Sequence, residues 1–309
     1  MKLFILAPSF NQPKFCSTPA WNPYGSTFAN KTTLGKYSRN LFINTNNTVY
    51  TVDRDEKQIL MWMNNSINPN KIISANFASS YSIFVTNNGD IYYDNGKKNS
   101  RVDKWISNTN TSVNVMNVNS SCYGLFIDIN DTLYCSMSLN HMIVKRWLND
   151  SAIISTTVAG TGIRGNASNK LFNPQGIFVD LNFNLYVADC SNHRIQLFKH
   201  GELNGITIVG LGSTTNNISL NRPSAIVLDA DGYLFIVDRW NSRIIRSRSN
   251  YIRCIIGCYG KGSQSHQLSS PTSLSFDSYG NIFIHDSNNH RIQKFDFLPN
   301  SCGKFKIIK

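Results

Sequence analysis

Residues 177–189 read Ile-Phe-Val-Asp-Leu-Asn-Phe-Asn-Leu-Tyr-Val-Ala-Asp. Two short apolar runs flank a five-residue spacer, and the phrase closes on Asp189. Further copies begin at Leu41, Ile83, Leu125, Ile226 and Leu274, and they align from one apolar run to the next without a gap. Self-similarity of this kind marks a repeat architecture. A length of 309 residues alone suggests two domains, but six copies fit one closed unit.

Working outward, each unit reads as four strands. First strands fall at 41–43, 83–85, 125–127, 177–179, 226–228 and 274–276. Second strands fall at 49–52, 91–93, 133–136, 185–188, 234–237 and 282–285. Both are apolar, β-branched or aromatic runs bounded by Asn, Asp and Gly, which is the strand signal. Asn88-Gly89, Asp231-Gly232 and Tyr279-Gly280 supply hairpin chemistry in the spacer. Third strands carry Ile59, Val102, Ile143, Ile195, Ile244 and Ile292. Fourth strands are looser, at 71–75, 113–118, 153–159, 205–209 and 251–256, and Gly160, Gly210 and Gly257 follow three of them. The sixth unit shows no fourth strand after Phe295. Residues 26–30 precede the first unit much as 73–76 precede the second, so they are expected to complete the last sheet. That pairing closes a ring and shields its edges.

The turn after the second strand carries a recurring signature. Asp189-Cys190-Ser191-Asn192-His193-Arg194-Ile195 and Asp286-Ser287-Asn288-Asn289-His290-Arg291-Ile292 are its fullest copies. Asp238-Arg239-Trp240-Asn241-Ser242-Arg243-Ile244 is a variant, and Asn140-His141-Met142-Ile143 keeps part of it. Units one and two depart further, with Glu56-Lys57-Gln58 and Asn99-Ser100-Arg101. These words, with the lead-ins Asn173-Pro174-Gln175-Gly176, Arg222-Pro223-Ser224 and Ser270-Pro271-Thr272, resemble NHL-repeat proteins over roughly residues 25–296. The resemblance implies an all-β fold: a six-bladed β-propeller of four-stranded antiparallel blades, the last closed by an N-terminal strand. The divisions expected are an N-terminal segment 1–24, a propeller 25–298 and a basic tail 299–309. The signature Asp, Asn and Arg read as a turn device, since a single active site would need them once.

Three chemical readings compete. His141, His193 and His290 occupy equivalent turns, but sheets packed about 10 Å apart keep their imidazoles from meeting at one metal. Asp128, Asp180, Asp229 and Asp277 end first strands, either as a carboxylate ring or, as favoured here, as caps on the following turns. Some relatives are amidating lyases, and other six-bladed propellers are lactonases. Here His200, His266 and His285 are scattered, so no catalytic residue, metal ligand or cofactor is assigned.

Net charge is +12, with 41% hydrophobic and 12% aromatic residues. The basic excess permits acidic partners, and Arg239, Arg243, Arg246, Arg248 and Arg253 form its densest group. Lys304, Lys306 and Lys309 form a second. No run approaches the length needed to span a bilayer. Met1–Pro8 reads as a weak or clipped secretion signal or as an ordinary cytosolic start. Seven cysteines and sequons at Asn30, Asn46, Asn64, Asn110, Asn119, Asn130, Asn149, Asn166 and Asn217 lean toward an extracellular glycoprotein. Cys16 with Cys302 would clasp the closure, and Cys254 with Cys258 would bracket the turn at Gly257; reduced cytosolic thiols are the alternative.

The reading is a non-enzymatic, monomeric scaffold that binds a protein or glycan through one rim. Its expected contacts are Arg54, Lys57, His141, His193, Arg239, Trp240 and His290. The alternatives are a propeller that binds single-stranded RNA and a metal-dependent lyase or hydrolase.

Overall fold

The computed structural model describes residues 8–63, 66–75, 77–214, 218–249 and 251–302. Residues 1–7 of the N-terminal segment, the lysines of the tail and the sequons at Asn64 and Asn217 lie outside the described residues.

Six four-stranded antiparallel sheets form the blades. Blade 1 comprises Ser38–Ile43, Val49–Asp53, Gln58–Trp62 and Lys71–Ser74. Blade 2 comprises Ile83–Val85, Ile91–Asp94, Arg101–Ile106 and Thr111–Asn117. Blade 3 comprises Cys122–Ile127, Thr132–Met137, Met142–Trp147 and Thr156–Ala159. Blade 4 comprises Pro174–Val179, Leu185–Asp189, Arg194–Phe198 and Ile206–Gly210. Blade 5 comprises Ala225–Leu228, Leu234–Asp238, Arg243–Arg248 and Tyr251–Ile256. Blade 6 comprises Ser273–Phe276, Ile282–Asp286 and Arg291–Phe295, with Ser26–Ala29 as its outermost strand. Ser26 pairs with Lys294, Thr27 with Gln293 and Ala29 with Ile292. The chain's start thus supplies the edge its end lacks, which hydrogen-bonds backbone groups that would otherwise be an open edge.

The repeated phrase forms the two inner strands of each blade. Their apolar residues pack between blades, so Ile83, Val85, Val187, Ile236 and Ile284 are buried. Each fully buried aliphatic side chain contributes about 1.5–3 kcal/mol.

The segment ahead of Ser26 packs on the ring. Trp21 is buried, donates to the Gly280 carbonyl at 2.9 Å and meets Phe15 and Phe235 edge-on. Two arginines expected at a basic surface hold this strap instead. Arg246, buried against Asp229, donates to the Ser17 carbonyl, and Arg253 donates to the Pro19 carbonyl.

Both disulfides expected from the sequence are present, Cys16–Cys302 and Cys254–Cys258. A third, Cys122–Cys135, ties the inner strands of blade 3, and Cys190 is a buried free thiol. Cys122 and Cys135 are 13 residues apart, and only the strand register brings their Cα atoms to 5.2 Å.

The glycines after three fourth strands have a geometric cause. Gly160, Gly210 and Gly257 have φ of 78°, 92° and 73°. A Cβ there would meet the carbonyl oxygens of His141, His193 and Ser242 at 2.4, 2.4 and 2.5 Å. Gly210→Ala should therefore lower unfolding free energy by about 1–3 kcal/mol in urea titration. Gly201→Ala, also at positive φ but with no atom within 4 Å of the new Cβ, should cost less.

Candidate functional site

The signature Asp, Asn and Arg form the expected turn device. Asp189 accepts from Asn192 Nδ2 and Arg194 Nε, both at 2.8 Å, and from the Phe172 amide at 2.7 Å. Asp238 binds Asn241, Arg243 and the Asn221 amide in the same way, and Asp286 binds Asn289, Arg291 and the Ser269 amide. In blade 2 the corresponding Arg101 turns to Asp103 instead. Among the described residues Asp94 is left accepting from the Tyr81, Gly96 and Cys122 amides, and burial pushes its pKa up to about 7.

The Asp residues ending first strands cap turns. Asp128, Asp180, Asp229 and Asp277 each accept from backbone amides two and four residues ahead. The other carboxylate oxygen accepts from a side chain: Tyr134 on Asp128, Tyr186 on Asp180, Arg246 on Asp229 and Asn281 on Asp277. Among the described residues no three His, Cys, Asp or Glu side chains gather as a metal-binding group.

The equivalent histidines are separated by the same device. His141, His193 and His290 adopt left-handed backbone at φ 55°, 55° and 49°. His141 Nδ1 accepts from the Asn173 amide at 3.2 Å, and His193 Nδ1 from the Arg222 amide at 3.3 Å. His290 Nδ1 donates to the Lys36 carbonyl. Each ring thus ties its turn to the chain entering the next blade. Lys57 holds the same left-handed position in blade 1 and is exposed.

His285, within the second strand of blade 6, is the fourth interblade histidine. Its Nε2 lies 2.8 Å from Ser38 Oγ and its Nδ1 2.9 Å from Thr272 Oγ1. The Ser–His contact is buried on both sides, and desolvation drives the imidazole pKa down to about 3. A general base needs a pKa near working pH, so this is a structural pin.

The residues that converge are cationic and aromatic. The channel mouth is formed where chain enters each first strand. Arg39, Tyr81, Tyr123 and Gln175 stand there in blades 1–4. The Tyr81 and Tyr123 rings stack at 4.1 Å, and the Arg54 guanidinium lies 4.2 Å over Tyr81 while its Nη2 donates to Ser79. Arg39 lies 5.7 Å over the same ring. Burial, then the charges of Arg239 and Arg54, hold the Arg39 pKa below its ordinary value. Arg239 is lowered by burial and by Arg222, whose guanidinium lies 4.1 Å over the half-exposed Trp240. Burial alone would raise Tyr81, but the Tyr123 hydrogen bond and Arg54 hold it down.

Among the described residues, none of Arg39, Arg54, Arg222 and Arg239 forms a salt bridge, and Nε of Arg54, Arg222 and Arg239 is buried without a hydrogen-bond partner. Of the seven residues expected at the rim, Arg54, Arg239 and Trp240 belong to this cluster. The three histidines and Lys57 stay in their separate turns. Arg39, Arg222, Tyr81 and Tyr123, which the turn signature does not single out, complete the cluster. Three of them share one signal: Arg39, Tyr81 and Tyr123 each stand two residues before a first-strand apolar run.

The His285 geometry yields a pH test. Its folded pKa lies below the ordinary 6.5, so the unfolded chain binds the extra proton. Its contribution is intact above about pH 6.5 and declines as pH falls toward 3. Asp94, raised to about 7, works in the opposite direction. The urea midpoint of His285→Gln should therefore fall less than that of the wild type between about pH 7 and 4.5.

A family model for the NHL repeat matches residues 268–295. No curated protein matches. Among solved structures, an auxiliary nutrient binding protein from Bacteroides thetaiotaomicron is similar at TM-score 0.66 and 12% identity, over 94% of this chain and 76% of that one. A gluconolactonase from Xanthomonas campestris is similar at TM-score 0.67 and 11% identity, over 95% and 99%. Virginiamycin B lyase from Staphylococcus aureus is similar at TM-score 0.61 and 14% identity, over 87% and 98%. At these identities the likeness establishes the fold alone.

Proposed function

The chain is a six-bladed β-propeller carrying an NHL repeat, and on that scaffold we propose a non-enzymatic, monomeric module that binds an anionic protein or glycan at the arginine-rich mouth. The observation that carries this reading is the convergence of Arg39, Arg54, Arg222 and Arg239 without a carboxylate partner among the described residues. Like charges gathered at partial burial are costly unless a ligand of opposite sign meets them. Arginine forks suit carboxylate and sulfate oxygens.

The same geometry weighs against the alternatives. Base stacking on RNA needs free aromatic faces. Tyr81 is taken by Tyr123 and Arg54, and Trp240 by Arg222 on one side. A lyase or hydrolase needs convergent acid, base or nucleophile, and His141, His193 and His285 are each spent on a contact between blades.

An extracellular setting fits this reading. Three disulfides suit an oxidising compartment. The seven sequon asparagines within the described residues, Asn30, Asn46, Asn110, Asn119, Asn130, Asn149 and Asn166, are all exposed. Chain recovered from the medium of secreting eukaryotic cells should lose mass on treatment with peptide N-glycosidase; an unchanged mass would remove the glycoprotein reading.

Binding is tested with heparin and a Glu-rich peptide as probes, and single-stranded RNA as competitor. Retention should fall with salt. Arg54→Ala with Arg239→Ala should weaken it by about tenfold or more, as expected for lost charge-assisted bonds. Lys14→Ala with Lys199→Ala, on the opposite face, should change it little. Equal loss from both pairs would contradict a site at the mouth, and preferential binding of RNA would replace the ligand class.

A further inference from the structure

Below the mouth, the channel narrows to a shaft lined at its base mainly by phenylalanines. The middle residue of each first strand faces it: Phe42, Phe84, Phe126, Phe178, Val227 and Ser275. Phe10 forms its floor, with its ring centre 6.3, 5.4 and 5.6 Å from those of Phe84, Phe126 and Phe178. The floor is fixed. Asn11 Nδ2 donates to the Asn44 and Phe276 carbonyls, and Gln12 Nε2 to the Leu228 carbonyl, so the strap spans blades 1, 5 and 6. The space, open at the mouth, is about 120 Å³. An apolar cavity of about 150 Å³ holds a benzene molecule, so this somewhat smaller shaft has room for no more than one ring-sized group. Arg39, which lines the same space at its open end, has no carboxylate partner among the described residues.

We propose that the shaft binds a small organic acid, with a ring-sized apolar group inserted among the phenylalanines and its carboxylate held by Arg39 at the mouth. Two features select this class together. The phenylalanines at its base disfavour a hydrated anion there, and the cationic collar disfavours a neutral hydrocarbon that leaves the arginines unpaired. Edge-to-face packing on several Phe rings favours an aromatic group over a linear chain. The inference rests on reading this face as the binding face, but it adds the shaft, which polyanion retention does not probe.

The test is calorimetric titration of the intact, oxidised chain with phenylacetate, phenylacetamide and acetate. Phenylacetate should bind with Kd of about 1 mM or tighter, and the neutral amide and acetate each at least about tenfold more weakly. Arg39→Gln should reduce phenylacetate affinity by about tenfold or more while leaving phenylacetamide unchanged. Val227→Phe, which fills the shaft, should abolish phenylacetate binding and leave heparin retention intact. If that variant does not fold, Val227→Leu should weaken binding in the same direction. Equal binding of acetate and phenylacetate, or no phenylacetate binding at about 10 mM, would overturn the shaft site. Either result would leave the heparin result to judge the mouth separately.

Discussion

The pairing of Ser26–Ala29 with Arg291–Phe295 is the constraint on which the rest of the molecule depends. Six blades around one axis bury their inner faces only if the first and last blades meet. Ser38 to His285 and Ser273 to the Leu41 carbonyl join those two blades. The pairing costs the entropy of closing a very long loop, but that cost grows only slowly with length. The Cys16–Cys302 bond removes part of it by tethering the same two regions in the unfolded chain, typically by 2–4 kcal/mol. The closure also sets the strap that leads to Phe10, so the channel's floor follows from the chain's first pairing.

Charge is divided between structure and surface. Arg194, Arg243 and Arg291 are held by Asp189, Asp238 and Asp286, and Arg246 by Asp229. Much of the basic group around Arg239 is therefore spent inside the blades. Arg39, Arg54 and Arg222 are different: each lies over an aromatic ring, and among the described residues neither they nor Arg239 forms a salt bridge. A guanidinium stacked on a ring keeps its charge and its in-plane donors available to a ligand.

The architecture was legible in the sequence because it is written six times. The Ile-Phe-Val and Leu-Tyr-Val runs, the Asp–Asn–Arg device and the unpaired third strand at Arg291–Phe295 all follow from strand period and turn chemistry. Cys16–Cys302 followed from closure, whereas Cys122–Cys135 depended on a bulged register that spacing does not reveal. The cluster at the mouth is less legible. The recurrence of His141, His193 and His290 in the repeated turn reflects a shared hydrogen bond to the next blade. The informative positions were those that vary between copies. The column two residues before each first-strand run reads Arg39, Tyr81, Tyr123, Gln175, Ser224 and Thr272, and it rings the mouth. Arg54, Arg222 and Arg239 reach that ring from turns, a convergence that depends on blade curvature rather than on any sequence spacing.

The closure itself is tested most directly by native-state hydrogen exchange resolved to single amides. If Ser26–Ala29 is the outer strand of the last blade, its ladder amides open only with Arg291–Phe295 and share their protection. Exchange of 26–29 at the rate of an exposed turn such as 108–110, with Arg291–Phe295 still protected, would show a ring closed by some other means and contradict the account.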